Sequence, residues 1–192
     1  MLCGTRIADL YVQPHIGGDI AFLIGVAKAV HERNTLDRPF IDNATGGWPE
    51  FENYLNTVTW DEIIQQSGVN RTMIDRVADV YAASKGAVFA WAMGVTHHAH
   101  GVQNVQAIGN LALMRGMLGR KNAGLLPVRG HSNVQGIGSM GVTPKLKAEV
   151  FKKLEERFNV TLPTKPGQDT MGSMIDASQG KVRVAFCIGG NL

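Results

Sequence analysis

Two polar, glycine-bracketed loops flank one apolar helical stretch, and this arrangement constrains the fold more than any other feature of the chain. The first loop, Trp91-Ala92-Met93-Gly94-Val95-Thr96-His97-His98-Ala99-His100-Gly101, grows out of Ala87 to Met93, which reads as a buried strand. The second is Pro127-Val128-Arg129-Gly130-His131-Ser132-Asn133-Val134-Gln135-Gly136. Between them, Val102 to Leu118 reads as a helix whose small residues Gly109, Ala112 and Gly116 permit close packing. Neither loop has the side chains to fill a core. Both expose hydrogen-bond donors, and glycine lets backbone approach a ligand closely. Loops of this kind on a rigid scaffold are where function concentrates.

The rest of the chain alternates strand and helix. Ile7 to Val12 reads as a short strand, and Gly17-Gly18-Asp19 opens a helix from Ile20 to Arg33. Pro39 and Gly46-Gly47 mark a loop, and Phe51 to Leu55 a short helix. Thr59-Trp60-Asp61-Glu62 is a capping box. Asn70 caps a helix to Ser84 that Gly86 ends. Lys145 to Phe158 is amphipathic, with Val150, Phe151, Leu154 and Phe158 inward. Thr170 to Ser178 is a last helix, and Gly180 to Ile188 reads as a buried strand. The alternation predicts an α/β fold, a Rossmann-like three-layer sheet with helices on both faces.

Composition narrows the class. Hydrophobic residues make up 44% and charged residues 18%, as in a globular chain long enough for a sizeable core. The net charge of +3 suits a phosphate-bearing ligand, and without a basic run interleaved with aromatics it does not argue for nucleic acid. No apolar run has spanning length, and the N-terminus lacks a secretory layout. Cys3 and Cys187 lie too far apart for a C-x-x-C metal site. His97, His98 and His100 could bind zinc, but no neighbouring cysteine or acid completes a four-ligand set, so an exposed polar turn is the simpler reading. Gly136 to Gly141 fits G-x-G-x-x-G but lacks a preceding strand, and Thr143-Pro144 disfavours a following helix. The N-x-T triplets at Asn43, Asn70 and Asn159 carry no sign of secretion with them.

From Ala90 to Gly141 the chain resembles the catalytic subunit of the molybdopterin oxidoreductases of the dimethyl sulfoxide reductase family, on the formate dehydrogenase side. That family shows a strand ending G-M-G, a polar turn, a helix ending L-x-G-x-x-G and a loop P-x-R-G-Q-x-N-V-Q-G. Here Ala92 replaces the first glycine and Met114 the leucine, and a weaker resemblance runs from Thr5 to Leu192. The resemblance implies a fragment of a larger multidomain enzyme. Residues 1–128 would be the end of an α/β pterin-dinucleotide-binding domain, and residues 129–192 the truncated start of the next.

It also implies a site. Arg129 would orient a small anionic substrate, and its fork suits two carboxylate oxygens. His131 stands where the family carries Gln and can move a proton where an amide cannot. Gly17, Gly18 and Asp19 match a P-G-T-D or Q-S-D segment whose acid binds the guanine of a pterin dinucleotide. Met93, Gly94 and His97 would line the same cofactor, with His97 in place of Gln. Asn191 matches a G-x-N turn near the pterin. Read from the residues alone, Asp19 is more simply a plain helix cap, and Arg129 more simply a partner in a structural ion pair or a phosphate anchor. The implied cofactor is bis-molybdopterin guanine dinucleotide with molybdenum or tungsten, with a 4Fe–4S cluster outside this segment. The implied setting is cytoplasmic, with an electron-transfer partner subunit possible, and this segment alone would have no turnover. A different class of reading is a non-catalytic module that binds a guanine nucleotide or a partner subunit.

Overall fold

The computed structural model describes residues 8–141 and 146–186. The chain divides into two compact units, 1–134 and 135–192. The first is built around helix α1 (Asp19–Glu32). Ala21 and every residue from Ile24 to Val30 are buried, more than one helical face. The reason is its central position: α1 packs against α4 (Trp60–Ser67), α5 (Arg71–Ala83) and α7 (Gly101–Met114), so nearly all its sides are covered. Lys28 is tolerated there because its Nζ donates to the Leu55 carbonyl at 2.6 Å. At the rim, the Arg71 guanidinium lies 3.3 Å from the centre of the Trp60 ring and pairs with Asp75 and Glu32.

Capping signals fix the helix starts. Asp37 accepts from Phe40 N at 3.2 Å and starts α2 (Arg38–Ala44). Pro39 therefore lies in a first helical turn and not in a loop, because that position has no intrahelical use for an N–H. α3 is Trp48–Thr57, extending the expected short helix at both ends. At α4 the capping box is complete: Glu62 N donates to Thr59 Oγ1 at 3.2 Å, and Thr59 N to Glu62 Oε2 at 2.9 Å. These bonds from the Thr59 backbone and hydroxyl hold the Glu62 carboxyl below the usual carboxylate range. Because the folded value is lowered, this contribution is present above the unfolded value and is lost as pH falls through the folded one. Thr59→Ala is expected to cost about 1 kcal/mol at neutral pH and less in acid, read by urea unfolding at both pH values. Asn70 caps α5 as predicted, and the helix ends at Ala83 with Ser84 already extended, so Gly86 is not what ends it.

The sheet of the first unit is small. β1 (Val88–Trp91) and β2 (Gly124–Pro127) run parallel, in register from Val88 opposite Gly124 to Trp91 opposite Pro127. β1 is shorter than predicted and only half-buried, with Val88 exposed. Helix α6 (Met93–Thr96) is a single turn after β1. α7 stops before the predicted Leu118, since Gly116 at φ +58° takes the left-handed conformation that ends a helix. Space around the missing Cβ of Gly109 is open, so no neighbour uses it for close packing, whereas Ala112 is fully buried. No strand forms over residues 8–12, and Ile7 lies outside the described residues.

Helix α8 (Val134–Ser139) begins at the unit boundary, so the end of the second polar loop is helical. The second unit continues with α9 (Ala148–Phe158) and α10 (Thr170–Ser178). α10 matches its predicted span. α9 has the predicted pattern, but Phe158 is 67% exposed and no α9 residue is buried. The expected strand from Gly180 to Ile188 is unpaired over residues 181–186, with Val184 and Phe186 exposed. A strand needs a neighbouring strand to bond to, and among the described residues this segment has only the end of α10, where the Asp176 carbonyl accepts from Lys181 N and Val182 N. Thr143-Pro144 and Lys145 lie outside the described residues. The architecture is thus helix-rich α/β with one two-stranded parallel sheet among the described residues. No described helix is long and apolar enough to cross a membrane.

Candidate functional site

Both strands of the parallel pair end at one cavity. It measures about 290 Å³ and is lined by Trp91, Met93, Thr96 and His97 on the β1 side, and by Pro127 to His131 and Val134 on the β2 side. The carboxyl edge of parallel strands is where α/β proteins bind ligands, because the chain turns there and leaves a crevice. Four predicted residues are brought together here: Met93, His97, Arg129 and His131. Met93 lies close to the backbone of the second loop, since a methyl on Gly130 would sit 3.1 Å from its Cε. The side chains of Arg129 and His131 are exposed and make no hydrogen bond or ion pair with described residues. A structural ion pair for Arg129 is therefore not formed here.

The first polar turn is pinned from behind. Asn104 on α7 is 1% exposed, and its Nδ2 donates to the Val95 carbonyl at 2.9 Å. Nothing in the chain marks this residue beyond a polar position on an apolar helix. Asn104→Leu is expected to cost about 1–3 kcal/mol, with the amide signals of Val95 to His98 broadening in NMR spectra. Unchanged signals would show that the turn holds itself.

The Gly17-Gly18-Asp19 segment does not line the cavity. It meets the other end of the same turn instead: a methyl on Gly17 would lie 3.4 Å from His98 Nε2. Gly18, not Asp19, is the residue before the helix, and Asp19 makes no cap hydrogen bond. The plain-cap reading of Asp19 is thereby corrected. A Cβ on Gly18 would lie 2.8 Å from the Gln66 carbonyl oxygen, so the hydroxyl residue seen at the matching place in the resembled family would not fit without a backbone shift. Gly94 sits in α6 with open space around it. Asn191, Cys187 and Cys3 lie outside the described residues. The zinc reading finds no support among the described residues, which include no cluster of three or more potential ligands.

No protein-family model matches the chain. Among curated proteins, Protein YdeP of Escherichia coli K12 is 39% identical over 197 residues, covering 97% of this chain and 26% of its own length. Formate dehydrogenase H of the same strain is 32% identical over 194 residues, covering 96% of this chain and 27% of its own length. Over nearly all of its own length the chain is similar to a segment of formate dehydrogenase-like oxidoreductases. It spans about a quarter of the length of these curated relatives. Among solved structures, acetylene hydratase from Pelobacter acetylenicus superposes with a TM-score of 0.57 over 60% of this chain and 16% of its own, at 19% identity, a likeness of fold. Against the resembled motif, the informative departures are the histidines. His97 and His131 both face the cavity at positions where the family motif has amides.

Proposed function

We propose that this chain supplies part of the cofactor tunnel and the substrate-side cation of a bis-molybdopterin guanine dinucleotide oxidoreductase, with formate dehydrogenase-like two-electron chemistry on a small anion. The observation that carries this reading is the cavity at the carboxyl edge of β1 and β2, where Arg129, His131 and His97 converge. The donor set fits the group: Arg129 and the two imidazoles offer N–H donors to oxygen-rich ligands, and Asp19 offers an acceptor not used by its own helix. When bound, the metal–pterin group supplies the two-electron sink. Arg129 holds the substrate carboxylate through two parallel N–H donors. His131 accepts the proton released on oxidation, because a neutral imidazole has a free ring nitrogen. Asp19 would accept from the guanine edge, and Gly17, Gly18, Met93, Gly94, His97 and Asn191 are the other residues that would hold the cofactor. In the full-length protein the two-stranded sheet would extend into a three-layer, Rossmann-like arrangement, with the domain boundary near residue 128. The 4Fe–4S cluster, the electron-transfer partner and a cytoplasmic setting belong to the same proposal, as does the inactivity of this segment alone.

Titration calorimetry of the chain with GDP as probe tests the nucleotide part. Binding that weakens about 10- to 100-fold in Asp19→Ala is expected, the loss of one hydrogen-bonded charged group. GDP binding that is unaltered by Asp19→Ala would remove Asp19 from the site.

A further inference from the structure

His98 lies outside the cavity and was expected to be an exposed turn residue, yet it is the side chain of the polar turn that reaches the Gly17 segment. Its two ring nitrogens are committed differently. Nδ1 accepts the backbone N–H of His100 at 3.1 Å. Only an unprotonated ring nitrogen accepts, so the neutral ring carries its proton on Nε2. That nitrogen is the atom turned towards Gly17, where a methyl would lie 3.4 Å from Nε2 and 3.7 Å from Cε1. Gly17 is at φ +86°, so a side chain there is disfavoured by backbone strain, and the ring stands at ordinary contact distance from where its Cβ would be. The next residue towards the cavity, His97, lines it. Two adjacent histidines thus face two different predicted parts of the site.

We propose that His98 is a positioning residue: it holds an Nε2–H donor beside the Gly17–Asp19 segment and couples that segment to the cavity through His97. This rests on the nucleotide reading of Asp19. The arrangement fixes one tautomer, and an Nε2–H donor suits a ligand oxygen, whereas the acceptor Asp19 suits a ligand N–H. The two groups together suit a ligand that presents both an acceptor and a donor, as a nucleotide does.

Isosteric variants of the full chain separate the two ring nitrogens. Glutamine places its amide nitrogen near the Nε2 position, and asparagine offers an atom only near Nδ1. His98→Gln is expected to keep GDP affinity within about twofold, while His98→Asn and His98→Ala lose about tenfold. Amide shifts recorded without nucleotide give a second readout, in which His98→Ala is expected to move the signals of Gly17, Gly18 and Asp19. If wild type binds GDP through Asp19 but His98→Ala binds equally and leaves those amides in place, the positioning role is wrong and the nucleotide reading stands. If His98→Ala moves the amides but wild type binds no GDP, the contact is a structural tether only, and both the ligand role of His98 and the nucleotide reading fall.

Discussion

Arg129→Ala is expected to lower kcat/KM of the full-length protein for the proposed anionic substrate by about 100- to 1000-fold, the loss typical of removing one preorganised charge-stabilising donor. The size follows from what surrounds the side chain. Arg129 ends in a cavity with His97 and His131 and makes no ion pair with described residues, so its charge is not spent on the fold. For the same reason the melting temperature should stay within about 1–2 °C of wild type, the change expected for a surface position away from structural features. Arg129→Lys keeps the charge but loses the planar fork, and should recover only part of the activity. Steady-state kinetics across the three proteins check this. Equal activity in Arg129→Ala would assign the cation to non-specific attraction.

Ile74→Ala carries the largest expected cost in stability, about 2–5 kcal/mol, in the range for truncating a buried aliphatic side chain in a packed core. Ile74 is fully buried on α5 and faces α1, where a methyl added to Gly25 would lie 3.2 Å from its Cδ1. The close approach of two helices at a glycine leaves little room for collapse, so a cavity would remain. On the same helix, Val80 is 61% exposed, and Val80→Ala should change stability by less than about 0.5 kcal/mol. Urea unfolding of the two variants compares them directly. A small loss in Ile74→Ala would mean that the contact of α1 and α5 is softer than its packing indicates.

The helices were legible because their starts are written locally. Thr59 and Glu62, Asn70, and the apolar series from Phe22 to Val30 each need only neighbours within one turn. The strands were less legible because pairing is not local. β2 is four residues ending in proline, too short for a period-two signal, and only its register opposite β1 makes it a strand. Residues 181–186 have strand composition without a partner, so apolarity there reported a preference and not a structure. The site divided in the same way. Arg129, His131 and His97 stood out as polar groups in glycine-rich loops, and the fold brings them to one cavity. Trp91 and Asn104 carried no chemical signal of their own, and the role of His98 depends on a contact with a residue eighty-one positions away. The histidines could be seen in the sequence, but which of them faces which ligand surface could not, because adjacent residues in a turn diverge.

The most direct test of the central claim is the metal and pterin content of the protein expressed from its uninterrupted reading frame. Elemental analysis for molybdenum and tungsten should be paired with fluorescence of the oxidised pterin and detection of released guanine nucleotide. About one metal, two pterins and two guanine nucleotides per chain are expected, with the nucleotide content falling in Asp19→Ala. A folded, full-length protein that purifies from a pterin-competent host without metal, pterin or guanine nucleotide would contradict it.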